Sequence, residues 1–243
     1  VRKSHQVLNK TDIAILVVDS TTGKGEEELA LIHRFHKKGI PYLVVYNKID
    51  LLSGEEIKDL AMSVRPGEVL VSAADGMNIQ ELKEKIEIDP VLHVYNRNAG
   101  VERINEYIKS NPESRDYALF VIDIDDFKNI NDTYGHLYGD TVIAMVAEML
   151  NKATDDDAIV GRYGGDEFFV LLKSSRIAEN ADRVVDNVCK INISDDKRIT
   201  CSVGVADGRI FEEVPDYKAL FSKADKALYS TKKNGKAHWE IYN

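Results

Sequence analysis

The chain has 243 residues, a formal net charge of -9 and a pI near 5.2, with 44% hydrophobic and 30% charged residues. That length allows one large or two modest domains, each with its own core. The acidic balance excludes a general binder of nucleic acid or of an anionic membrane, though a local basic site for a phosphate ligand remains compatible with it.

The first third alternates strand and helix patterns. Ile13 to Val18 is a continuous apolar run that predicts a buried parallel strand ending at Asp19. A helix follows from Glu26 to Lys38, then a strand from Tyr42 to Tyr46 and a helix from Glu55 to Met62. A short strand from Val69 to Val71 and a helix from Asn78 to Ile86 complete this part. Such units imply a parallel sheet covered by helices. His33 and His36 share a helix face but lack a third ligand nearby, so a solvated helix is expected there. The apolar runs are strand-sized, so no membrane segment is expected, nor any signal peptide. Cys189 and Cys201 form no CxxC pair, which fits a reducing cytoplasm. The chain opens at Val1, as a fragment or processed chain does.

Asp89-Pro90 marks a boundary, because proline disfavours helix in the residue before it. We therefore expect two domains, 1–88 and 89–243. A helix is predicted from Asn98 to Ile108, stopped by Asn111-Pro112, and then a strand from Ala118 to Ile124. A helical stretch from Asp126 to Lys152 breaks between Gly135 and Gly139, and a strand from Ala158 to Val160 enters the turn at Gly164-Gly165. The strand Phe168 to Leu172 leaves that turn, followed by a helix from Ile177 to Cys189 and a strand from Ile199 to Val205. A helix from Tyr217 to Thr231 and a strand near His238 to Ile241 close the pattern. The fold class is α/β followed by α+β: a partial parallel sheet, then a central, mostly antiparallel sheet with flanking helices.

Chemistry concentrates at Arg162-Tyr163-Gly164-Gly165-Asp166-Glu167-Phe168. The glycines permit a tight turn that a bulky ligand can approach, and the two carboxylates are expected exposed at its tip. Asp123 and Asp125 fall on one face of the preceding strand if it extends that far. One carboxylate from that strand and one or two from the turn suit two magnesium ions held against a triphosphate, since magnesium takes few protein carboxylates and fills its shell with phosphate and water. Either motif alone would sooner fit a solvated acidic loop.

With these runs, Asn129 to His136, Gly139-Asp140, Ser202 to Val205 and Ala224 to Tyr229 occur in order, so residues from about 90 to 243 resemble a GGDEF domain of the diguanylate cyclase family. The resemblance implies that Asp123, the Ile124 carbonyl, Asp166 and Glu167 hold two metal ions, magnesium or manganese, at each GTP site. Asp166, Glu167 and Lys128 become the catalytic candidates. Asp166 is a candidate base for the 3′-hydroxyl, but a shared metal perturbs both acids, and the division between Asp166 and Glu167 stays open. Asn131 and Asp140 match the guanine-reading pair with His136 beside them, and Lys232, Lys236 and Arg162 match substrate-binding positions. A carboxylate accepts from both N1–H and the exocyclic amine of guanine, so Asp140 favours GTP over ATP. The implied reaction condenses two GTP into cyclic di-GMP with release of two pyrophosphates. One site per domain requires a homodimer.

Two departures matter. The family opens with Asp-x-Leu-Thr-Gly-Leu-x-Asn-Arg, whereas here Asp89 and Tyr95-Asn96-Arg97 flank Val91-Leu92-His93-Val94. The family's product-binding Arg-x-x-Asp is replaced by Asp155-Asp156-Asp157-Ala158, whose acids repel a bis-phosphate, so no product inhibition is expected there.

In the first third, Asn47-Lys48-Ile49-Asp50 and Ser72-Ala73 follow successive strands, in the order of the guanine-specificity elements of a Ras-like GTPase. This part resembles the latter half of hydrogenase-maturation or tRNA-modification G domains. The resemblance implies that Asp50 grips guanine N1–H and N2, that Asn47 orders the loop, that Lys48 lies over the ring and that the Ala73 N–H approaches O6. No G-x-x-x-x-G-K-[ST] loop occurs in the sequence, and Thr22-Gly23-Lys24-Gly25 reads as a loop before a helix, so GTP hydrolysis is not expected. The expected protein is a diguanylate cyclase fused to a partial G domain, cytoplasmic, with GTP as substrate and no nucleic-acid partner. The alternative is a non-catalytic guanine-nucleotide-binding or interaction module.

Overall fold

In the computed structural model the described residues are 13–243 without 39, 41, 90, 174, 175, 195 and 196, and without the side chains of 194 and 197. Residues 1–12, with which the first expected domain begins, and Pro90 of the expected boundary lie outside that set. The chain divides into two compact units, Val1–Ile86 and Glu87–Asn243.

The first unit carries β1 (Ala14–Asp19), α1 (Glu26–Lys38), β2 (Tyr42–Asn47), α2 (Gly54–Ser63) and β3 (Glu68–Leu70). The helix α3 (Ile79–Glu87) follows and crosses the division between the units. The three strands pair in parallel in the order β1-β2-β3. Val18, Val44 and Tyr46 pack one face of the sheet with Leu16, Ile32 and Leu60 around them. Val45, Val69 and Val71 pack the other face with Ile79 and Leu82 of α3. Ser53 and Glu56 form a reciprocal capping box that fixes the start of α2, satisfying two otherwise orphaned N–H groups.

The second unit contains α4 (Arg97–Ser110), β4 (Ala118–Ile124), α5 (Phe127–Tyr134), α6 (His136–Ala153), β5 (Ile159–Gly164) and β6 (Glu167–Leu172). It continues through α7 (Ile177–Val188), a small hairpin of β7 (Asn192–Ser194) and β8 (Lys197–Arg198), β9 (Cys201–Asp207), α8 (Tyr217–Lys233) and β10 (Trp239–Ile241). The main sheet has the order β10-β9-β4-β6-β5, antiparallel except for the parallel pair β10 and β9.

Strand alternation divides the core. Phe120, Ile122, Phe168 and Val170 face Val146, Leu150 and Val184 of α6 and α7. Their neighbours Leu119, Val121, Phe169 and Leu171 face Ile104, Leu220 and Ala224 of α4 and α8. Both faces are therefore covered, which explains why β4 and β6 read as continuous apolar runs. Details differ from the sequence reading. The first strand, expected buried, leaves Ile15 and Val17 exposed. The helical stretch after Asp126 breaks at Gly135 alone (φ 85°), with Gly139 inside α6. The strand expected from Ile199 starts at Cys201, because Ile199 and Thr200 are used in bonds to Ile191 and Asp125 rather than in a ladder. The hairpin of β7 and β8 was not anticipated, being too short to show a period. Among the described residues, no helix is long and apolar enough to cross a membrane.

Helix α8 lies so close on β9 that a Cβ on Gly204 would sit 2.1 Å from both the Ala224 carbonyl oxygen and the Leu228 nitrogen. Backbone atoms cannot step aside as a side-chain end can, so the helix itself would have to lift. Gly204→Ala is expected to lower the unfolding free energy by roughly 3 kcal/mol; urea unfolding with an unchanged midpoint would contradict this packing.

Candidate active site

The Gly-Gly run forms the hairpin joining β5 to β6. Gly164 pairs with Glu167, leaving Gly165 and Asp166 as the two loop residues, and Gly165 takes φ 56°, a left-handed value open to glycine. Arg162 closes the loop by donating from Nε and a terminal nitrogen to the Gly165 carbonyl, at 3.0 and 2.8 Å. On the other side of β5, the Arg97 guanidinium sits 4.0 Å from the centroid of the Tyr163 ring and donates to its hydroxyl at 2.7 Å. Tyr163 in turn stacks on Phe221 of α8, with centroids 4.7 Å apart.

Register brings the acids together. β4 and β6 pair antiparallel so that Asp123 stands directly opposite Glu167, and the Ile124 N–H donates to the Asp166 carbonyl at 3.3 Å. Asp123, Ile124, Asp166 and Glu167 thus meet at one end of the sheet. The sequence reading put both turn acids in the open; they are half-buried instead, because the hairpin leans on the end of β4. Burial pushes the Asp123 carboxyl above its ordinary value against the pull of Lys232, with Asp166 and Asp125 adding repulsion. Burial also raises Glu167, and the charges of Asp123 and Asp166 raise it further. One lysine does not neutralise three acids.

That lysine is Lys232, in the last turn of α8, whose ammonium lies 2.7 Å from Asp123 Oδ2. A cation there is favoured by the helix dipole as well. Lys236 makes the second contact, 2.8 Å to Asp126 Oδ1, a pairing that raises its pKa. Asp126, Lys236 and Ala237 all hold left-handed φ values of 54°, 61° and 54°. Non-glycine residues rarely accept that conformation, and its clustering where the loop after α8 meets the end of β4 marks stored strain beside the acids.

Asp125 plays a different part from the one its spacing predicted. β4 ends at Ile124, and Asp125 turns inward at 8% exposure. Its carboxylate accepts from Ser202 Oγ and Thr200 Oγ1, both at 2.7 Å, and from the Ala237 N–H at 3.1 Å. It ties β9 and the loop after α8 to the corner rather than facing the open site. Ser202 stood in one of the recurring motif runs, but neither it nor Thr200 was expected to hold Asp125.

The expected base-reading residues lie on the next two helices. Asn131 is half-buried in α5; His136 opens α6 and Asp140, one turn later on the same helix face, is exposed with it. Lys128 is exposed in the first turn of α5, next to Asn131 by helical spacing. The altered opening segment remains ordered: Asp89 Oδ1 accepts from the N–H groups of Val91 and Leu92, and Leu92 and Val94 are buried. Asp155, in the acidic stretch before β5, pairs with Arg183 at 3.3 Å.

In the first unit the residues expected to read guanine also converge, though on each other. Asn47 Oδ1 accepts from the Ala73 N–H at 3.0 Å, and Ser72 Oγ donates to Asp50 Oδ1 at 2.6 Å. Lys48, at φ 69°, reaches Asp19 Oδ2 at 2.6 Å, and the pairing lowers Asp19 to about 2. Lys24 belongs to a loop before α1 and pairs with Glu68 at 2.6 Å.

Among the described residues, no three His, Cys, Asp or Glu side chains already form a closed metal-binding group. The acids at the hairpin are instead a sparse, mutually repelling set. Removing Asp125 strands one buried donor, Ser202 Oγ, and two part-buried ones, so Asp125→Ala is expected to cost roughly 2 kcal/mol, whereas Asp166→Ala costs less than about 0.5 kcal/mol. Equal losses in urea unfolding would contradict the separate parts given to these two acids.

Residues 86–238 match the family model described as diguanylate cyclase, GGDEF domain, and residues 1–152 match that of the elongation factor Tu GTP binding domain. Diguanylate cyclase A of Treponema denticola is 33% identical over 172 residues, 68% of this chain and 46% of that protein. Diguanylate cyclase DgcP of Pseudomonas aeruginosa is 32% identical over 171 residues, 68% of this chain and 25% of that protein. The chain thus spans less than half the length of these relatives. The GGDEF domain of DgcB from Caulobacter crescentus, solved in complex with c-di-GMP, superposes with TM-score 0.58 at 26% identity, covering 64% of this chain and 95% of that one. The active GGEEF domain of a diguanylate cyclase from Vibrio cholerae gives TM-score 0.56 at 26% identity, covering 61% and 97%. The chain belongs to the GGDEF family, and its N-terminal part to that of the elongation factor Tu GTP-binding domain.

Proposed function

We propose that this chain is a diguanylate cyclase that joins two GTP molecules into cyclic di-GMP. The observation that carries the reading is the pairing of Asp123 with Glu167 across β4 and β6, with Asp166 alongside and Lys232 at 2.7 Å from Asp123. Half-buried carboxylates, of which Asp123 and Glu167 are raised by burial and by neighbouring acids, call for more positive charge than one lysine brings, and a divalent cation fits that deficit. Asp123, the Ile124 carbonyl, Asp166 and Glu167 would hold two magnesium or manganese ions per GTP. Bound there, the ions would supply Lewis-acid polarisation of the phosphates.

The chain's own residues then divide the remaining work. Asn131 and Asp140 orient guanine, with Asp140 accepting from N1–H and the exocyclic amine, and His136 lies beside them. Lys128, Lys232, Lys236 and Arg162 neutralise charge around the phosphates, the two later lysines exchanging their present carboxylate partners for phosphate oxygens. A turn carboxylate, Asp166 or Glu167, takes the proton of the 3′-hydroxyl. The 3′-oxygen forms a bond to the α-phosphorus of the facing GTP as the bond to the β-phosphate oxygen breaks, and pyrophosphate leaves. The same step with the roles reversed closes the ring. Because each domain carries one GTP site, a homodimer brings the two halves together, and positioning supplies much of the rate. GTP as substrate puts the reaction in the cytoplasm.

We read residues 1–88 as a partial GTPase-like domain and residues 89–243 as the cyclase domain. The mutual hydrogen bonds of Asn47 with Ala73 and of Asp50 with Ser72 support a guanine site in the first part, where Lys48 would leave Asp19 to cover the base.

Purified chain incubated with GTP and magnesium is expected to yield cyclic di-GMP on chromatography, and Asp166→Ala or Glu167→Ala to lower its rate by at least about 100-fold. Nucleotide binding without turnover, or GDP and phosphate as products, would overturn the reading. The acids at 155–157 and the tie of Asp155 to Arg183 disfavour a bis-phosphate. Progress curves are therefore expected to stay linear in added cyclic di-GMP; biphasic curves with product bound at this stretch would contradict that.

A further inference from the structure

Gly139 lies in the interior of α6, where glycine has no conformational duty, since its φ is not among the left-handed values. Glycine within a helix costs about 1 kcal/mol against alanine, so its presence needs a packing reason. The reason is a side chain. A Cβ built on Gly139 would sit 2.0 Å from Asn131 Oδ1 and 3.0 Å from Asn131 Cγ, with Phe127 Cζ at 3.2 Å. The Asn131 amide therefore rests in the notch that the absent Cβ leaves on α6. Among the described residues its side chain has no hydrogen-bond partner that would hold it from another side, and the notch sets its direction.

We propose that Gly139 is a specificity-positioning residue: it lets the Asn131 amide lie against α6, one residue from Asp140, so that the two polar groups present themselves to the base together. This rests on the guanine-reading role given above to Asn131 and Asp140. The two groups come from different helices, joined only through the break at Gly135. Their alignment depends on how α5 packs on α6, and at Gly139 that packing is made by the Asn131 side chain itself. Alanine at this position adds one methyl group whose main obstacle is the end of a flexible side chain. The helix pair is thus expected to keep its packing while the amide swings out.

The test is a double-mutant cycle in the full chain, reading KM for GTP, kcat for cyclic di-GMP and the thermal midpoint. Gly139→Ala is expected to raise KM about tenfold, the scale of one or two lost hydrogen bonds, with kcat within about twofold and the midpoint unchanged or raised. Asn131→Ala is expected to raise KM by a similar factor. The double variant is expected to match Asn131→Ala, not to show the product of the two factors, because the amide that alanine displaces is already gone. A raised KM in Asn131→Ala with an unchanged KM in Gly139→Ala would overturn the inference while leaving the guanine-reading role standing. An unchanged KM in Asn131→Ala would overturn that role and the inference with it. If Gly139→Ala fails to fold but the double variant folds, the contact with Asn131 is established; if neither folds, the glycine serves the helix packing at Phe127 and the inference falls.

Discussion

The antiparallel pairing of β4 with β6 is the constraint from which the rest of the site follows. It places Asp123 and Glu167 opposite each other at the end of a sheet covered on both faces. Cross-strand neighbours of like charge are unfavourable, and burial makes them more so. A core built only for stability would place apolar residues at such a position. The strands instead carry apolar residues along their length and acids at one end, and the hairpin adds a third carboxylate beside them. The fold supplies the stability and the sheet end carries the strain.

How the positive charge reaches that end is a matter of packing as much as of electrostatics. Helix α8 lies on β9 at Gly204, where only a missing side chain permits its approach, and Leu228 sits at that contact. Lys232 follows one turn later on the same face and meets Asp123. The loop after α8 then folds back through Lys236 and Ala237 in left-handed conformations and donates to the buried carboxylate of Asp125. Asp125 is thus an internal brace, tied to β9 through Thr200 and Ser202, while its neighbours Asp123 and Asp126 meet the two lysines. Three aspartates within four positions, 123, 125 and 126, carry the same chemical group to different ends because the strand stops at Ile124 between the first and the second.

Much of this was legible in the sequence. The apolar runs located β4 and β6, the two glycines located the hairpin, and the order of motifs named the family. What periodicity could not show was where a strand yields to a turn. Extending β4 by one residue put Asp125 on the same face as Asp123; the actual end at Ile124 sends it inward. Contacts between residues far apart in sequence were also hidden. The partnership of Arg97 with Tyr163 spans two elements that no local pattern connects, and the same holds for Gly139 with Asn131, where a glycine in a helix looked like a break rather than a seat. In the first unit the positions of Asn47, Asp50, Ser72 and Ala73 were readable as a set, but not that they would bond one another.

The central claim is that the β4 and β6 acids are an incomplete charge set completed by divalent cations together with nucleotide. Electron paramagnetic resonance of manganese titrated into the protein, with and without a non-reactive GTP analogue, tests it without relying on turnover. The account predicts tight manganese binding that appears with the analogue and is lost in Asp123→Asn and Glu167→Gln. Manganese binding that is indifferent to these two substitutions would contradict it.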